Sequence, residues 1–180
     1  MEALGMIELN SIAQGINAAD AVLKAANVSM VCSQPVCPGK YVILVNGQVS
    51  AVKASIDAGC VAAGENLLDS MVIASVHPDV VKAMSGCVDL EGVEALGVME
   101  TFSLPQALLS ADAAAKAAEV KLMEIRLGTG LGGKSYILLT GTVSAAKAAV
   151  QAGCETRDEG LMMSSVVIPS PHPELAEAIR

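Results

Sequence analysis

Apolar and polar residues follow one another in a pattern that predicts the same order of elements twice along the chain. In each half, short apolar runs of strand length alternate with longer alanine-rich runs of helix length, and Gly/Pro pairs separate them. The predicted elements of the first half are a strand at Ala3 to Leu9, a helix from Ser11 to Ala26, strands at Val28 to Val36 and Lys40 to Asn46, a helix at Ser50 to Ala63, a strand at Leu67 to Ser75 and a short helix from His77-Pro78.

The second half repeats the first in sequence as well as in pattern. Residues 2 to 28 match residues 94 to 120 with 14 of 27 positions identical, at an offset of 92. Gly39 to Cys60 then match Gly133 to Cys154 with 13 of 22 identical, at an offset of 94. Two residues are therefore inserted between the matched blocks, which marks a loop. We predict two tandem domains, residues 1–90 and 91–180.

Each half reads as β-α-β-β-α-β, so the fold class is α/β (α+β) with two ferredoxin-like domains. The helix starts support this order. Ser11-x-x-Gln14 and Ser103-x-x-Gln106 both match a capping box, in which a hydroxyl and an amide bind free backbone N–H groups. The His-Pro pairs place a proline in the first turn of each closing helix.

Composition narrows the classes of function. The chain of 180 residues is 53% hydrophobic, carries a net charge of −8 and has one Phe, two Tyr and no Trp. An acidic chain with so few aromatic residues is not expected to bind nucleic acid. No apolar run reaches the length of a membrane span, and no secretory leader is apparent, so we expect a cytoplasmic location. The surplus of apolar residues predicts large interfaces between subunits.

No spacing predicts catalysis. Gly128 to Ser135 satisfies the phosphate-loop pattern G-x-x-x-x-G-K-S, but a predicted strand follows it where a phosphate loop requires a helix. Nucleotide hydrolysis is therefore rejected. No nucleophile–base pair or carboxylate pair recurs in a matching context, and we expect that the chain is not an enzyme.

The five cysteines form no paired framework, which fits a reducing compartment. Cys37 lies in the Gly/Pro loop between two predicted strands, where packing does not need a thiol. From the residues alone, a free loop thiol and a metal ligand both remain open. Cys32 and Cys37 form only a C-x₄-C fragment. Cys60 and Cys154 recur in Ala-Gly-Cys segments that favour small buried side chains.

Several segments resemble the shell domains of bacterial microcompartments. They are the opening EALGMIE, the helix ADAVLKAANV, the segment PGKYVILVNGQVSAV and the strand before His-Pro. Two such domains in one chain resemble the tandem-domain shell proteins, and Ser33 to Lys40 resembles the branch from propanediol-utilisation compartments that carries an iron–sulfur cluster. The resemblance implies a homotrimer that mimics a hexamer, a pore on its axis, and tiling with other shell proteins into a microcompartment shell.

The resemblance also implies roles for individual residues. Cys37 would bind the cluster, with three copies of the thiol meeting on the threefold axis and a 4Fe-4S cluster as the expected form. The pore would be lined by the two strand-joining loops, and Lys24 and Lys116 would lie at the edges where trimers meet. Ser75 and Ser170 stand where many family members have an arginine. The loop residues are Val36, Pro38, Gly39, Gly128, Thr129, Gly130, Leu131, Gly132 and Gly133.

The expected function is therefore a structural shell subunit whose pore holds an iron–sulfur cluster for electron transfer across the shell. A redox enzyme inside or outside the compartment is a further expected partner. Two alternatives remain open. One is a shell protein with an open metabolite pore and no metal, and the other is a cytoplasmic regulatory module that binds small ligands.

Overall fold

A computed structural model of the chain describes residues 3–90, 92–157 and 160–179. The described residues fold into two β-α-β-β-α-β repeats, as the sequence predicted. The first repeat consists of β1 (Ala3–Leu9), α1 (Ile12–Ala25), β2 (Ser29–Val36), β3 (Lys40–Gly47), α2 (Val49–Ala63), β4 (Leu67–Ile73) and α3 (Pro78–Met84). The second consists of β5 (Ala95–Thr101), α4 (Leu104–Ala117), β6 (Lys121–Leu127), β7 (Ser135–Gly141), α5 (Val143–Cys154), β8 (Met162–Ile168) and α6 (Pro173–Ala178).

Each repeat forms one four-stranded antiparallel sheet. The strand order is β2-β3-β1-β4 in the first sheet and β6-β7-β5-β8 in the second. The first strand of each repeat is therefore central. Every residue of β1 is buried, and all of them except Glu8 are apolar. This order and the antiparallel pairing confirm the ferredoxin-like arrangement.

The register of the strands locates the two inserted residues. Leu9 pairs with Tyr41 in the first sheet, and Thr101 pairs with Ser135 in the second, so the offset is 92 on one strand and 94 on its partner. The insertion therefore lies in the loop between β6 and β7, which is longer than the loop between β2 and β3. The prediction of a loop at this place is confirmed.

The predicted helix starts are confirmed in part. Ser11 caps α1, accepting a hydrogen bond at Oγ from the N–H of Gln14 at 3.4 Å. In the second repeat, the Ser103 hydroxyl donates to Asp69, and the Gln106 amide donates to Ser110 Oγ and Thr156 Oγ1. These bonds tie the start of α4 to its neighbours, because its first turn is packed inside the molecule whereas the first turn of α1 is not.

The His-Pro pairs have the structural role that their recurrence predicted. His77 and His172 are the N-caps of α3 and α6, and the Nδ1 atom of each accepts from the backbone N–H two residues later at 3.3 Å. Pro78 and Pro173 occupy the first helical turn, where a missing N–H costs nothing.

Two compact units can be distinguished in the chain. The first contains the segments Met1–Val76, Ser103–Pro105 and Gly128–Gly133, and the second contains the remainder. The predicted domain boundary falls at residue 91, which lies outside the described residues. The loop Gly128–Gly133 and the start of α4 thus belong to the same unit as the first sheet. In the described ranges no helix is long and apolar enough to cross a membrane.

Candidate functional site

Cys37 is at the tip of the hairpin formed by β2 and β3. The last pair of that ladder is Val36 with Lys40, and the N–H of Gly39 donates to the carbonyl of Val36 at 3.0 Å. A three-residue turn thus joins the strands, and the positive φ of Gly39 closes it. Cys37 and Pro38 are both exposed. The hairpin therefore presents the thiol to solvent.

The second loop, Gly128–Gly133, lies against this hairpin within the same compact unit. Four of its residues are glycines with positive φ. A Cβ placed on Gly133 would lie 2.9 Å from Cδ of Pro38, and a Cβ on Gly128 would lie 3.2 Å from Cβ of Val36. The glycines thus allow the loop to approach the hairpin more closely than side chains would permit. Ser135 begins β7, so the prediction that a strand follows this loop is confirmed.

Exposure divides the predicted loop residues into two sets. Val36, Gly128 and Gly133 are buried and form the base of the two loops, and Leu131 is half-buried. The other predicted residues are exposed: Cys37, Pro38, Gly39, Thr129, Gly130 and Gly132. In a single chain, these exposed residues and part of Leu131 are accessible to solvent.

A buried ion pair fixes the base of the hairpin, and the sequence reasoning missed it. Lys40 Nζ lies 2.6 Å from Glu8 Oε1 and donates to the carbonyl oxygen of Gly133 at 3.1 Å. The other carboxylate oxygen of Glu8 accepts from the N–H of Leu104 at 2.8 Å. Burial raises the pKa of Glu8 above its ordinary value, and the bonds from Lys40 and Leu104 oppose that rise. A glutamate within an apolar strand, repeated as Glu100, was the available signal.

The other cysteines are placed differently from Cys37. Cys32, Cys60 and Cys154 are half-buried, and burial raises the pKa of the Cys32 and Cys60 thiols. A raised pKa disfavours the thiolate that metal binding requires. Cys87 is exposed, and its Sγ lies 3.6 Å from the carbonyl oxygen of Ser85. Across the part of the chain that the structure describes, no group of three or more His, Cys, Asp or Glu is arranged to hold a metal ion.

The two predicted edge lysines each pair with an aspartate one helical turn earlier. Lys24 Nζ lies 2.5 Å from Asp20 Oδ2, and the Lys24 side chain is 75% exposed. Lys116 Nζ lies 2.5 Å from Asp112, whose other oxygen accepts from the N–H of His77. The two positions are thus equivalent in the repeat, but Lys24 is the more accessible.

These features define a class of protein. They describe a tandem-domain α+β protein in which a ferredoxin-like domain is duplicated and the β2–β3 and β6–β7 loops belong to one compact unit. A model of the BMC domain matches residues 3–76 and 95–171. The chain belongs to the BMC-domain family of bacterial microcompartment shell proteins, which confirms the resemblance seen in the sequence.

Individual relatives agree with this assignment. The chain is 40% identical to the bacterial microcompartment shell protein PduT of Citrobacter freundii, over 95% of this chain and 94% of the relative. It is similar over 46% of its length to the shell protein PduA of the same organism, at 43% identity and 91% coverage of that protein. A crystal structure of a microcompartment protein from Desulfitobacterium hafniense superimposes with a TM-score of 0.86 at 47% identity, covering 98% and 99% of the two chains.

Proposed function

We propose that the chain is a non-enzymatic shell subunit that forms a homotrimer and tiles with other shell proteins, and that three copies of Cys37 hold an iron–sulfur cluster at the trimer axis. The family assignment establishes a shell protein. The trimer, the pore and the cluster go beyond that assignment, and each has its own support.

Burial differences between equivalent residues support the trimer. On the first helix of each repeat, Ile12 and Ile16 are exposed, whereas their counterparts Leu104 and Leu108 are fully buried. The opposite holds at the end of the repeat, where Leu175 is 41% exposed and its counterpart Val80 is buried. Each repeat thus has one apolar surface covered within the chain and one left open.

These two open surfaces are the ones that we propose to meet between copies of the chain. The surface left open on the first repeat is equivalent to the one that is covered on the second, and the reverse holds at the other end. A contact of this kind joins copies of the chain head to tail. The copies form a closed ring when the rotation from one to the next is a whole fraction of a full turn. Six repeats around one axis require three chains, which is the trimer that the sequence resemblance implied.

The residues of the hairpin tip fit a thiolate-bound cluster. Cys37 is exposed, its neighbour Gly39 has nothing within 4 Å of a Cβ position, and a metal ligand set is not available in the described part of one chain. A single thiol from each of three copies would provide most of the ligands of a 4Fe-4S cluster. Such a cluster supplies a reversible one-electron change in oxidation state.

The surrounding residues would hold and shield this site. Lys40 and Glu8 fix the base of the hairpin, so the position of Cys37 is set by a buried ion pair and not by a mobile loop. The glycine loop packs against Pro38 and leaves little room for side chains beside it. The proposed consequence is a pore that is closed to metabolites and provides a route for electrons to a redox enzyme.

Anaerobic purification tests the cluster. Wild-type trimers are expected to be brown and to contain iron and sulfide, and Cys37→Ser is expected to lose the visible absorption while remaining trimeric. Cys87→Ser removes the other exposed thiol and serves as the control, with the colour retained. A colourless wild-type protein after anaerobic reconstitution would overturn the cluster and favour an open metabolite pore. Ligand-dependent oligomers that never form sheets would favour a regulatory module.

A further inference from the structure

The ion pair at the base of the hairpin occurs once in each repeat, and the two copies differ in how far they are exposed to solvent. In the first repeat, the side chains of Glu8 and Lys40 are 0% and 20% exposed. In the second, Glu100 and Lys134 occupy the equivalent positions at 2.5 Å, but their side chains are 31% and 36% exposed. The same pair is thus enclosed in one repeat and open in the other.

The enclosed pair owes its environment to two groups from the second repeat. Glu8 accepts a hydrogen bond from the N–H of Leu104, the first residue of α4, and Lys40 donates to the carbonyl of Gly133. Both partners lie in the same compact unit as the pair. A backbone donor at a helix start and a backbone acceptor at a loop end therefore complete this site.

The repeat identifies the groups that would complete the open pair. Leu104 corresponds to Ile12 at the offset of 92, and Gly133 corresponds to Gly39 at the offset of 94. Ile12 is the first residue of α1, where the N–H has no acceptor within the helix, and it is 43% exposed. Gly39 is exposed at the tip of the hairpin that carries Cys37. Both groups face solvent in a single chain.

We propose that Glu100 and Lys134 are an intermolecular latch that binds Ile12 and Gly39 of a second copy of this chain. The Glu100 carboxylate accepts from the Ile12 N–H of that copy, and Lys134 Nζ donates to its Gly39 carbonyl. This proposal rests on the proposed head-to-tail trimer and assigns the polar contacts that join its subunits. It places a lysine from each chain beside the Cys37 hairpin of the next one.

A second, independent contact within the chain predicts the same neighbour. Ser103 donates to Asp69 in the first unit, and the equivalent positions are Ser11 and Ser164. Asp69 lies on β4 opposite Glu8 and corresponds to Ser164 because the offset between β4 and β8 is 95. Ser164 is exposed on β8. Ser11 of one copy is therefore expected to lie close to Ser164 of another.

Sedimentation of Lys134→Met tests the latch. The variant loses the bond from Lys134 to Gly39 at each of three interfaces and leaves Glu100 without its cation, so it is expected to raise the trimer dissociation constant about tenfold or more. Lys82→Met, which removes an exposed pair with Asp79 at 3.3 Å, is the matched control and is expected to leave the constant within about twofold. Trimers of Lys134→Met that are as tight as those of the control would overturn the latch.

Cross-linking separates failure of the latch from failure of the trimer. Ser11→Cys and Ser164→Cys are introduced together into a Cys37→Ser, Cys87→Ser chain and treated with a short bis-maleimide. Covalent products that end at three chains are expected, and each single substitution alone is expected to give none. A trimer by sedimentation without these products overturns the proposed contact and leaves the trimer standing. Products that extend beyond three chains overturn the closed trimer but support the contact.

Discussion

Glu8 is an ionisable residue near the end of β1, a strand in which every residue is buried. Removing a carboxylate from water is costly unless charged or hydrogen-bonding partners replace its hydration. Here Lys40 and the N–H of Leu104 provide them, at 2.6 and 2.8 Å. The pKa of Glu8 is still raised, because the effect of burial is larger than that of these partners and because Asp69 adds a like charge nearby.

The stability of the protein should therefore depend on pH through Glu8. A carboxyl whose folded-state pKa exceeds its ordinary value of 4.5 binds more protons when folded, so it favours the folded state increasingly as the pH falls toward 4.5. Wild type is expected to gain stability relative to Glu8→Gln as the pH falls through that window, and to show no further gain below 4.5. Thermal unfolding of both proteins at matched concentration measures the difference.

The change in the free energy of unfolding measures the pKa shift of Glu8. Each pH unit by which the folded-state pKa exceeds the unfolded-state pKa contributes about 1.4 kcal/mol. The variant also removes the carboxylate partner of Lys40, so the comparison uses the change of the stability difference with pH and not its absolute value. If wild type instead lost stability relative to the variant on acidification, the ion pair would outweigh burial, and the assigned direction would be wrong.

At the scale of the elements, the two repeats use different residues where the first helix packs against the sheet. In the first, Gly15 of α1 lies under the ring of Tyr41, and a Cβ on Gly15 would be 2.4 Å from that ring. In the second, the equivalent residues are Ala107 and Ser135, both fully buried. A small residue on the helix contacts a large one on the strand in the first repeat, and two small residues occupy the equivalent positions in the second.

This pairing predicts coupled substitutions. Gly15→Ala is expected to destabilise the protein by about 1–3 kcal/mol because it overpacks the ring of Tyr41, although alanine favours helix by about 1 kcal/mol. In a Tyr41→Ser background the same change should be neutral or stabilising, since the second repeat tolerates that combination. Denaturant unfolding of the four proteins forms the cycle. Gly92→Ala, with no atom within 4 Å of its Cβ position, is the control and should change little. Equal costs in both backgrounds would contradict the contact.

The helices and strands were predictable from the sequence because residues next to one another in the chain determine where they begin and end. Strand β1 matches the prediction at both ends, because apolar residues stop at Asn10 and a capping serine follows. The hairpin tip at Cys37 was predicted from Pro and Gly, which set its backbone directly. The Glu8–Lys40 pair was not, because its residues are 32 positions apart and their meeting depends on strand register. Packing of the start of α4 beside Glu8 depends on contacts that no periodicity encodes.

For the whole molecule, the difference between the repeats matters more than their similarity. A duplicated chain whose two halves had the same exposure would have no direction of assembly. Here Ile12 and Ile16 of α1 and Leu175 of α6 are exposed, whereas their counterparts in the other repeat are buried. The open ion pair Glu100–Lys134 stands beside the longer loop. In the proposed ring, the surface left open on one repeat of each chain would meet the surface left open on the other repeat of the next chain.

Tiling of trimers into sheets would require contacts at the edges of the trimer, separate from the contacts that hold its three chains together. Lys24 is the proposed edge residue of the first repeat, and its side chain pairs with Asp20 on the surface of α1. Lys24→Asp would place two adjacent carboxylates at an edge that is proposed to meet a neighbouring trimer. It is expected to abolish sheets seen by electron microscopy while leaving the sedimentation of trimers unchanged. Lys53→Asp, an equal charge change at another exposed helix position, should leave sheets intact. Loss of sheets in both variants would assign the effect to net charge, and sheets formed by Lys24→Asp would remove this lysine from the edge.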